Sequence, residues 1–190
     1  MKQQTIKLYV VRHGKTDFNV EGRYAGSTDV PLNKTGISQA EELADKLKLS
    51  DMKFDVVISS PLLRARQTAD IVCSALKNSY VIIEQFAERN VGVYEGLTQR
   101  EAMKKYPELW RRQCTRQLDD APTKGETIRQ FDARIIDGLD ILRRDYKNKR
   151  VLLIAHGFVS RAINRYCMNL SFDEMHSFLL DNCEVAEYNL

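Results

Sequence analysis

Four apolar runs rich in β-branched residues punctuate the chain, at residues 6–11 (IKLYVV), 56–59 (VVIS), 80–83 (YVII) and 151–155 (VLLIA). Each has the length and composition of a strand buried on both faces, and each is separated from the next by a stretch of helical period. Ile37, Ala40, Leu43, Ala44 and Leu47 recur at helical spacing behind Thr35, read as an N-cap. A second helix is expected to open with Ser60 as cap and Pro61 at its first position, with Ala65, Ala69, Val72 and Leu76 along one face. Thr127 and Gln130 have capping-box spacing ahead of an apolar face made by Ile128, Phe131, Ile135, Leu139 and Leu142. Strands alternating with helices predict an α/β domain with a largely parallel sheet. Residues 97–126 carry no strand pattern and mix Tyr106 and Trp110 with Pro107, Pro122 and many charges, which predicts a helical excursion away from the sheet, either a lid or padding.

Composition narrows the class only slightly. With 190 residues and 43% hydrophobic content the chain is expected to form one domain spanning residues 1–190. A net charge of +3 gives no reason to expect a nucleic-acid partner and would not repel an anionic small molecule. The apolar stretch near the N-terminus is too short for a signal peptide and no run reaches transmembrane length, so a cytoplasmic protein without a membrane partner is expected. Cys73, Cys114, Cys167 and Cys183 have no zinc-type or CxxC spacing and are expected to be isolated thiols. Nothing in the sequence bears on the oligomeric state.

The polar residues that follow the strands change the picture. The first run leads into Arg12-His13-Gly14, the second into Ser59-Ser60-Pro61 with Arg64 a turn later, the third to Glu88 and the fourth into His156-Gly157. Ligands of open parallel sheets bind outside the carboxyl ends of the strands, so these tips are expected to converge on one pocket. Singly, a histidine after a strand is a satisfied structural group and an arginine in a helical turn is solvated. Together, two arginines, two histidines and a carboxylate suit phosphoryl chemistry. Arginine forks bind phosphate oxygens, and the helix N-terminus after Ser60 would add backbone donors. A neutral imidazole can attack phosphorus, and a carboxylic acid can protonate the departing alcohol. Glu88 is the candidate acid, with burial expected to keep it protonated. The signatures of cysteine phosphatases, P-loops and haloacid-type phosphatases are missing, and a metal beside two arginines would be electrostatically costly, so no metal and no cofactor is expected.

The stretch VRHGKTDFNVEGRYAGSTDVPLNKTG resembles the signature of the histidine phosphatase superfamily, and the resemblance continues in order through SSPLLRARQTA, ERNVGVYEG, GETIRQFDAR and IAHGFVSR. It implies a three-layer α/β/α sandwich around a mostly parallel sheet, of the phosphoglycerate mutase-like kind. His13 is implied as the nucleophile that becomes phosphohistidine, with Arg12, Asn19, Arg64 and His156 on the phosphoryl group and Glu88 as proton donor. Backbone amides near Gly26 and Gly157 would also line the pocket, since glycine permits close approach. Lys15 departs from the usual acidic or amide residue of this pattern, and Tyr94 from a common tryptophan; Lys15 is either a solvated loop lysine or a source of positive potential at the mouth. Thr16 and Asp29 are expected to be structural, and Glu95 is a rival acid better suited to loop packing. The short 97–126 span favours a phosphomonoesterase acting on a small phosphate ester, such as α-ribazole phosphate or a sugar phosphate, over phosphoglycerate mutase-type transfer. A non-catalytic phospho-ligand binding module is the remaining alternative, set aside because both histidines are retained.

Overall fold

The computed structural model describes residues 5–50 and 52–190, so the first four residues of the stretch read for a targeting signal lie outside it. The elements run in the order β1 (Lys7–Arg12), α1 (Asp17–Glu21), α2 (Lys34–Leu49), β2 (Val56–Ser59), α3 (Leu63–Leu76), β3 (Tyr80–Ile82), α4 (Gln99–Lys105), α5 (Pro107–Arg111), α6 (Ile128–Asp145), β4 (Arg150–Ala155), α7 (Gly157–Cys167) and β5 (Val185–Asn189), with short 3-10 turns between β3 and α4 and after α7. The five strands form one sheet in the order β3-β2-β4-β1-β5. Every pairing is parallel except that of β5 with β1.

Alternation along the strands divides the core. Leu8 and Val10 of β1, with Val151, Leu153 and Ala155 of β4, face Phe131, Ile135, Leu139 and Leu142 of α6 and Val159, Ala162 and Ile163 of α7. Their neighbours Tyr9, Val11, Leu152 and Ile154 face Leu43, Ala44 and Leu47 of α2 and Ala65, Ala69 and Val72 of α3. Helices therefore cover both faces of the sheet, and a three-layer α/β/α sandwich follows from central strands whose inner positions are apolar on both faces. Among the described residues no helix is long and apolar enough to cross a membrane.

Four local expectations need correction. β3 is not buried on both faces, since Val81 and Ile82 are 47% and 43% exposed. The cap of α2 is Asn33, whose side chain accepts from Gly36 N at 2.9 Å, not Thr35. Ile37 is 43% exposed, outside the buried stripe that Ala40, Leu43, Ala44 and Leu47 form. The helix expected to open at Ser60-Pro61 begins instead at Leu63, because Ser60 N still bonds Ile154 O at 2.9 Å and so prolongs the strand. Strand β5 was not legible in the apolar pattern, since only Tyr188 of its five residues is buried. Thr127 and Gln130 do form the capping box of α6. Residues 97–126 supply α4 and α5, packed over a small cluster of Val91, Tyr94, Ala102 and Cys114 separate from the sheet core.

The loop after β1 is fixed by a close approach of backbones. A Cβ on Gly14 would lie 2.3 Å from Gly36 O, and one on Gly36 would lie 2.0 Å from Lys15 O. Alanine at an open helical position gains about 1 kcal/mol over glycine in propensity. Here the obstacle is a backbone carbonyl that itself accepts from Asn33 N, so overpacking of about 1–3 kcal/mol or more must win. Gly36→Ala is expected to lower the unfolding free energy in urea; an unchanged or raised midpoint would show that the two loops are free to part.

Candidate active site

Register builds the site. Arg12 pairs with Ala155, the last residues of β1 and β4, and His13 N continues the ladder to Ala155 O at 2.9 Å. The next residue on each strand is a histidine, so the rings of His13 and His156 meet edge to face with centroids 5.1 Å apart. Arg12, His13, Asn19, Gly26, Arg64, Glu88 and Gly157 all line one cavity of about 370 Å³ at the carboxyl ends of the strands. His156 is brought beside them but is fully buried behind His13 and contributes no wall.

A hydrogen bond to a backbone carbonyl fixes the tautomer of His13. His13 Nδ1 lies 2.7 Å from Gly14 O, which can only accept, so Nδ1 carries the hydrogen. Its Nε2 accepts from Arg64 Nε at 3.2 Å and is left with the lone pair. Ser60 Oγ receives Leu62 N at 3.3 Å and lies 2.6 Å from His156 Nε2, a contact that either tautomer of His156 can make. His156 Nδ1 is a buried atom with no partner among the described residues. Burial is the largest influence holding both histidines well below their ordinary pKa of 6.5. The positive charges of Arg64 and Arg12 add to it, against a raising contribution from Gly14 O at His13.

Arg64 is 1% exposed and reaches the site from the first turn of α3. Besides His13 it donates to Thr28 O and Gly26 O, both at 2.8 Å, which leaves two of its five N–H groups uncommitted. Arg12 donates from Nη1 to Leu180 O at 3.0 Å, and its buried Nε has no partner among the described residues. Desolvation lowers the pKa of both guanidinium groups. Asn19 spends its side-chain oxygen on Thr16 N at 3.1 Å, in the capping box of α1, so the amide NH₂ is what it can offer. Glu88 accepts from Arg89 N at 2.9 Å and from Phe158 N at 3.2 Å, which sets its carboxyl against the first turn of α7. Its loop is pinned by Arg134, which donates to Gln85 O and Ala87 O at 2.7 and 3.0 Å while paired with Glu126.

The other candidates sort by contact. Glu95 accepts from Ser27 N, Ser27 Oγ and Thr28 Oγ1, so it is a loop tie rather than a pocket group, and a Cβ on Gly26 would lie 2.3 Å from it. Asp29 caps α3 through Leu63 N. That helix N-terminus is thus occupied by a carboxylate and does not face the cavity, contrary to the expectation of donors after Ser60. Lys15 is held through its backbone by Gln39 and Asn33 and lines no part of the cavity. Sequence reasoning missed Arg89, Arg116, Phe158, Arg161 and His176, which also line it. Arg161 was findable, standing one helical turn after Gly157 in IAHGFVSR. Among the described residues no cluster of three or more His, Cys, Asp or Glu side chains could hold a metal ion.

A family profile described as Histidine phosphatase superfamily (branch 1) matches residues 8–190. Phosphoserine phosphatase 1 of Hydrogenobacter thermophilus is 34% identical over 97% of this chain and 85% of its own length. An uncharacterized phosphatase of Bacillus subtilis, PhoE, is 36% identical over 81% of this chain and 73% of its own. Among solved structures, the α-ribazole phosphatase from Shigella flexneri superposes with a TM-score of 0.86 at 28% identity, covering 95% of this chain and 89% of its own.

The buried histidines make stability depend on pH with a definite sign. Their folded pKa values lie below the unfolded value of 6.5, so the unfolded chain takes up protons first as pH falls. Stability is full above about pH 6.5, declines between the unfolded and folded values and levels off below the latter. The slope is about 1.4 kcal/mol per pH unit for each histidine. Urea unfolding between pH 6.5 and 5 should show this decline, and His13→Asn and His156→Gln should each flatten it; equal slopes in all three proteins would mean that the imidazoles take up protons in the folded chain as readily as in the unfolded one.

Proposed function

The chain belongs to the histidine phosphatase superfamily, and from that premise we propose that it hydrolyses a small phosphorylated metabolite through a phosphohistidine on His13, without a metal. The observation that carries this reading is the unprotonated Nε2 of His13, held at the wall of a cavity rich in guanidinium groups. A lone pair fixed by an Nδ1–H···O=C bond is a nucleophile at neutral pH, with no deprotonation step to precede attack. Phosphatase relatives support a hydrolase. Those named for phosphoserine and α-ribazole phosphate act on small monoesters, and a cavity of about 370 Å³ suits a substrate of that size.

In the first half-reaction Nε2 of His13 bonds phosphorus as the bond from phosphorus to the alcohol oxygen breaks. The N–H of Arg64 that Nε2 accepted is freed to a phosphoryl oxygen. Arg12 Nε, the Asn19 amide and, in the tautomer protonated there, Nδ1 of His156 are donors for the remaining oxygens, and the amides at Gly26 and Gly157 complete the cradle. His156 would reach the phosphoryl group only when it is seated on His13, because its ring lies behind that residue. Glu88, as the carboxylic acid, gives its proton to the leaving alkoxide. In the second half-reaction Glu88, now a carboxylate, takes a proton from water, which attacks phosphorus; the bond to Nε2 breaks and phosphate departs. Arg12 and Arg64 supply the positive charge that a metal would otherwise bring.

Two experiments test this. With EDTA present, rapid-quench labelling by a ³²P ester should trap one acid-labile phosphoryl group on the wild-type chain, followed by free phosphate, and none on His13→Ala. Label retained by that variant, or activity that requires a divalent cation, would overturn the assignment. Glu88→Gln should slow transfer from an alkyl ester to His13 by roughly a hundredfold or more, the scale of lost general acid catalysis, and slow transfer from p-nitrophenyl phosphate far less, since its alcohol leaves unaided. Equal slowing of that first half-reaction with both esters would remove Glu88 from the acid's role.

A further inference from the structure

The backbone of His13 is held from the far end of the chain. The ladder between β1 and β5 closes with Val11 opposite Val185. Beyond it Cys183 N donates to Arg12 O at 2.8 Å, and a side chain takes the next place: Asn182 donates from Nδ2 to His13 O at 2.8 Å across 169 positions of sequence. A carbonyl only accepts, so the NH₂ of Asn182 is the group that faces it. The turn that brings this amide round is made at Cys183, whose φ of 60° lies in the left-handed region, uncommon for a residue with a side chain. In the same segment Leu180 O accepts from Arg12 Nη1 at 3.0 Å. Residues 180–183 therefore buckle Arg12 and His13 together.

The same peptide is held at its other end. Gly14 N donates to Thr68 Oγ1 at 3.1 Å, and that hydroxyl donates to Arg64 O at 2.8 Å. The hydrogen of Thr68 is thus committed to its own helix, and a lone pair is left for Gly14. Thr68 is fully buried, one turn after Arg64 on α3, and neither it nor Asn182 lines the cavity. Glycine at position 14 offers little resistance of its own to a turn of the peptide plane. Between the two anchors that plane cannot turn without unpairing a polar group. Its orientation sets ψ of His13 and φ of Gly14, and those angles decide whether Gly14 O stands 2.7 Å from Nδ1 of the ring.

We infer that Asn182 and Thr68 are positioning residues for the nucleophile: by clamping the His13–Gly14 peptide from both sides they keep Gly14 O on Nδ1, and so the lone pair on Nε2, without touching substrate. Once the plane is released, Gly14 O leaves Nδ1, the ring is free to take its hydrogen on Nε2 or to swing off line, and attack at phosphorus slows while the arginines still bind the anion. Anion binding and alignment of the nucleophile are then carried by different parts of the fold, the first by guanidinium groups and the second by the segment before β5 together with α3. The inference rests on the reading of His13 as nucleophile and goes beyond it.

The test separates alignment from binding. Phosphorylation of His13 by p-nitrophenyl phosphate is followed by rapid-quench labelling, and anion affinity by competition with inorganic phosphate. Asn182→Leu keeps the approximate shape and removes the donor. It should slow labelling by about tenfold to a hundredfold, the range for a reacting group misplaced by up to about 1 Å, and leave inhibition by phosphate nearly unchanged. Thr68→Val should do the same and Thr68→Ser should restore most of the rate, because the hydroxyl is what Gly14 N requires. The double variant should lose less than the product of the two single losses, since both release one peptide. Long-range ¹H–¹⁵N spectra of histidine-labelled protein should show the Nδ1–H tautomer of His13 in the wild type and a mixture in Asn182→Leu. If Asn182→Leu does not fold, the Thr68 pair decides. Labelling at the wild-type rate in the Leu and Val variants, or a loss that falls on phosphate inhibition as heavily as on the rate, would overturn the clamp and leave His13 as nucleophile. A wild-type chain that takes no label on His13 would overturn both.

Discussion

One buried guanidinium organises this site. Arg64 reaches from α3 to the carbonyls of Gly26 and Thr28 and to the imidazole of His13, so it ties a loop and a histidine ring together. Among the described residues it has no carboxylate partner in direct contact; Glu88, Asp29 and Glu95 compensate it only from a distance, in that order. Burying a charge in this manner costs several kcal/mol in real proteins, offset here by hydrogen bonds and by the packing of the sheet beneath. An anion in the cavity would complete the compensation, and this is the usual economy of a binding site: the empty state is held slightly unfavourable so that the ligand has something to relieve.

The same logic explains the neutral histidines. Burial is the first cause that keeps the two adjacent imidazoles neutral, and the charges of Arg64 and Arg12 add to it. Gly14 O then chooses the tautomer of His13, leaving the lone pair on its Nε2, and Ser60 Oγ holds the ring of His156 in place. Glu95 serves this arrangement from behind: by taking the amide and hydroxyl groups of residues 27 and 28 it holds the loop whose carbonyls grip Arg64.

How much of this was legible follows from burial. The strands β1, β2 and β4 are covered on both faces and therefore read as unbroken apolar runs, so the sheet and the chemistry at its tips could be placed from sequence. An edge strand with one buried residue leaves no such trace, which is why β5 was missed. The start of α3 was misplaced because the groups around it have distant partners: Ser60 is bound to His156, and the first amide of α3 is capped by Asp29, 34 positions earlier. Arg134, Arg89 and His176 act through backbone carbonyls or across a cavity and follow no spacing rule, whereas Glu88 and the two strand-end histidines follow directly from their position past a strand.

The sheet order sets the order in which the site can come into being. Among the described residues β1 pairs with β4 and β5 alone, and Lys7 lies beside Arg150 and Asn189. During synthesis the first strand made is therefore the last to be paired, and its apolar residues wait through more than a hundred others for both flanking strands to emerge. Long-range parallel pairing of this sort is slow, so His13 and His156 meet only after β4 has docked on β1. A nascent chain stalled or cut short before residue 150 would carry the signature loop, the arginine of α3 and an exposed apolar strand, and would be a client for chaperones rather than a weak catalyst.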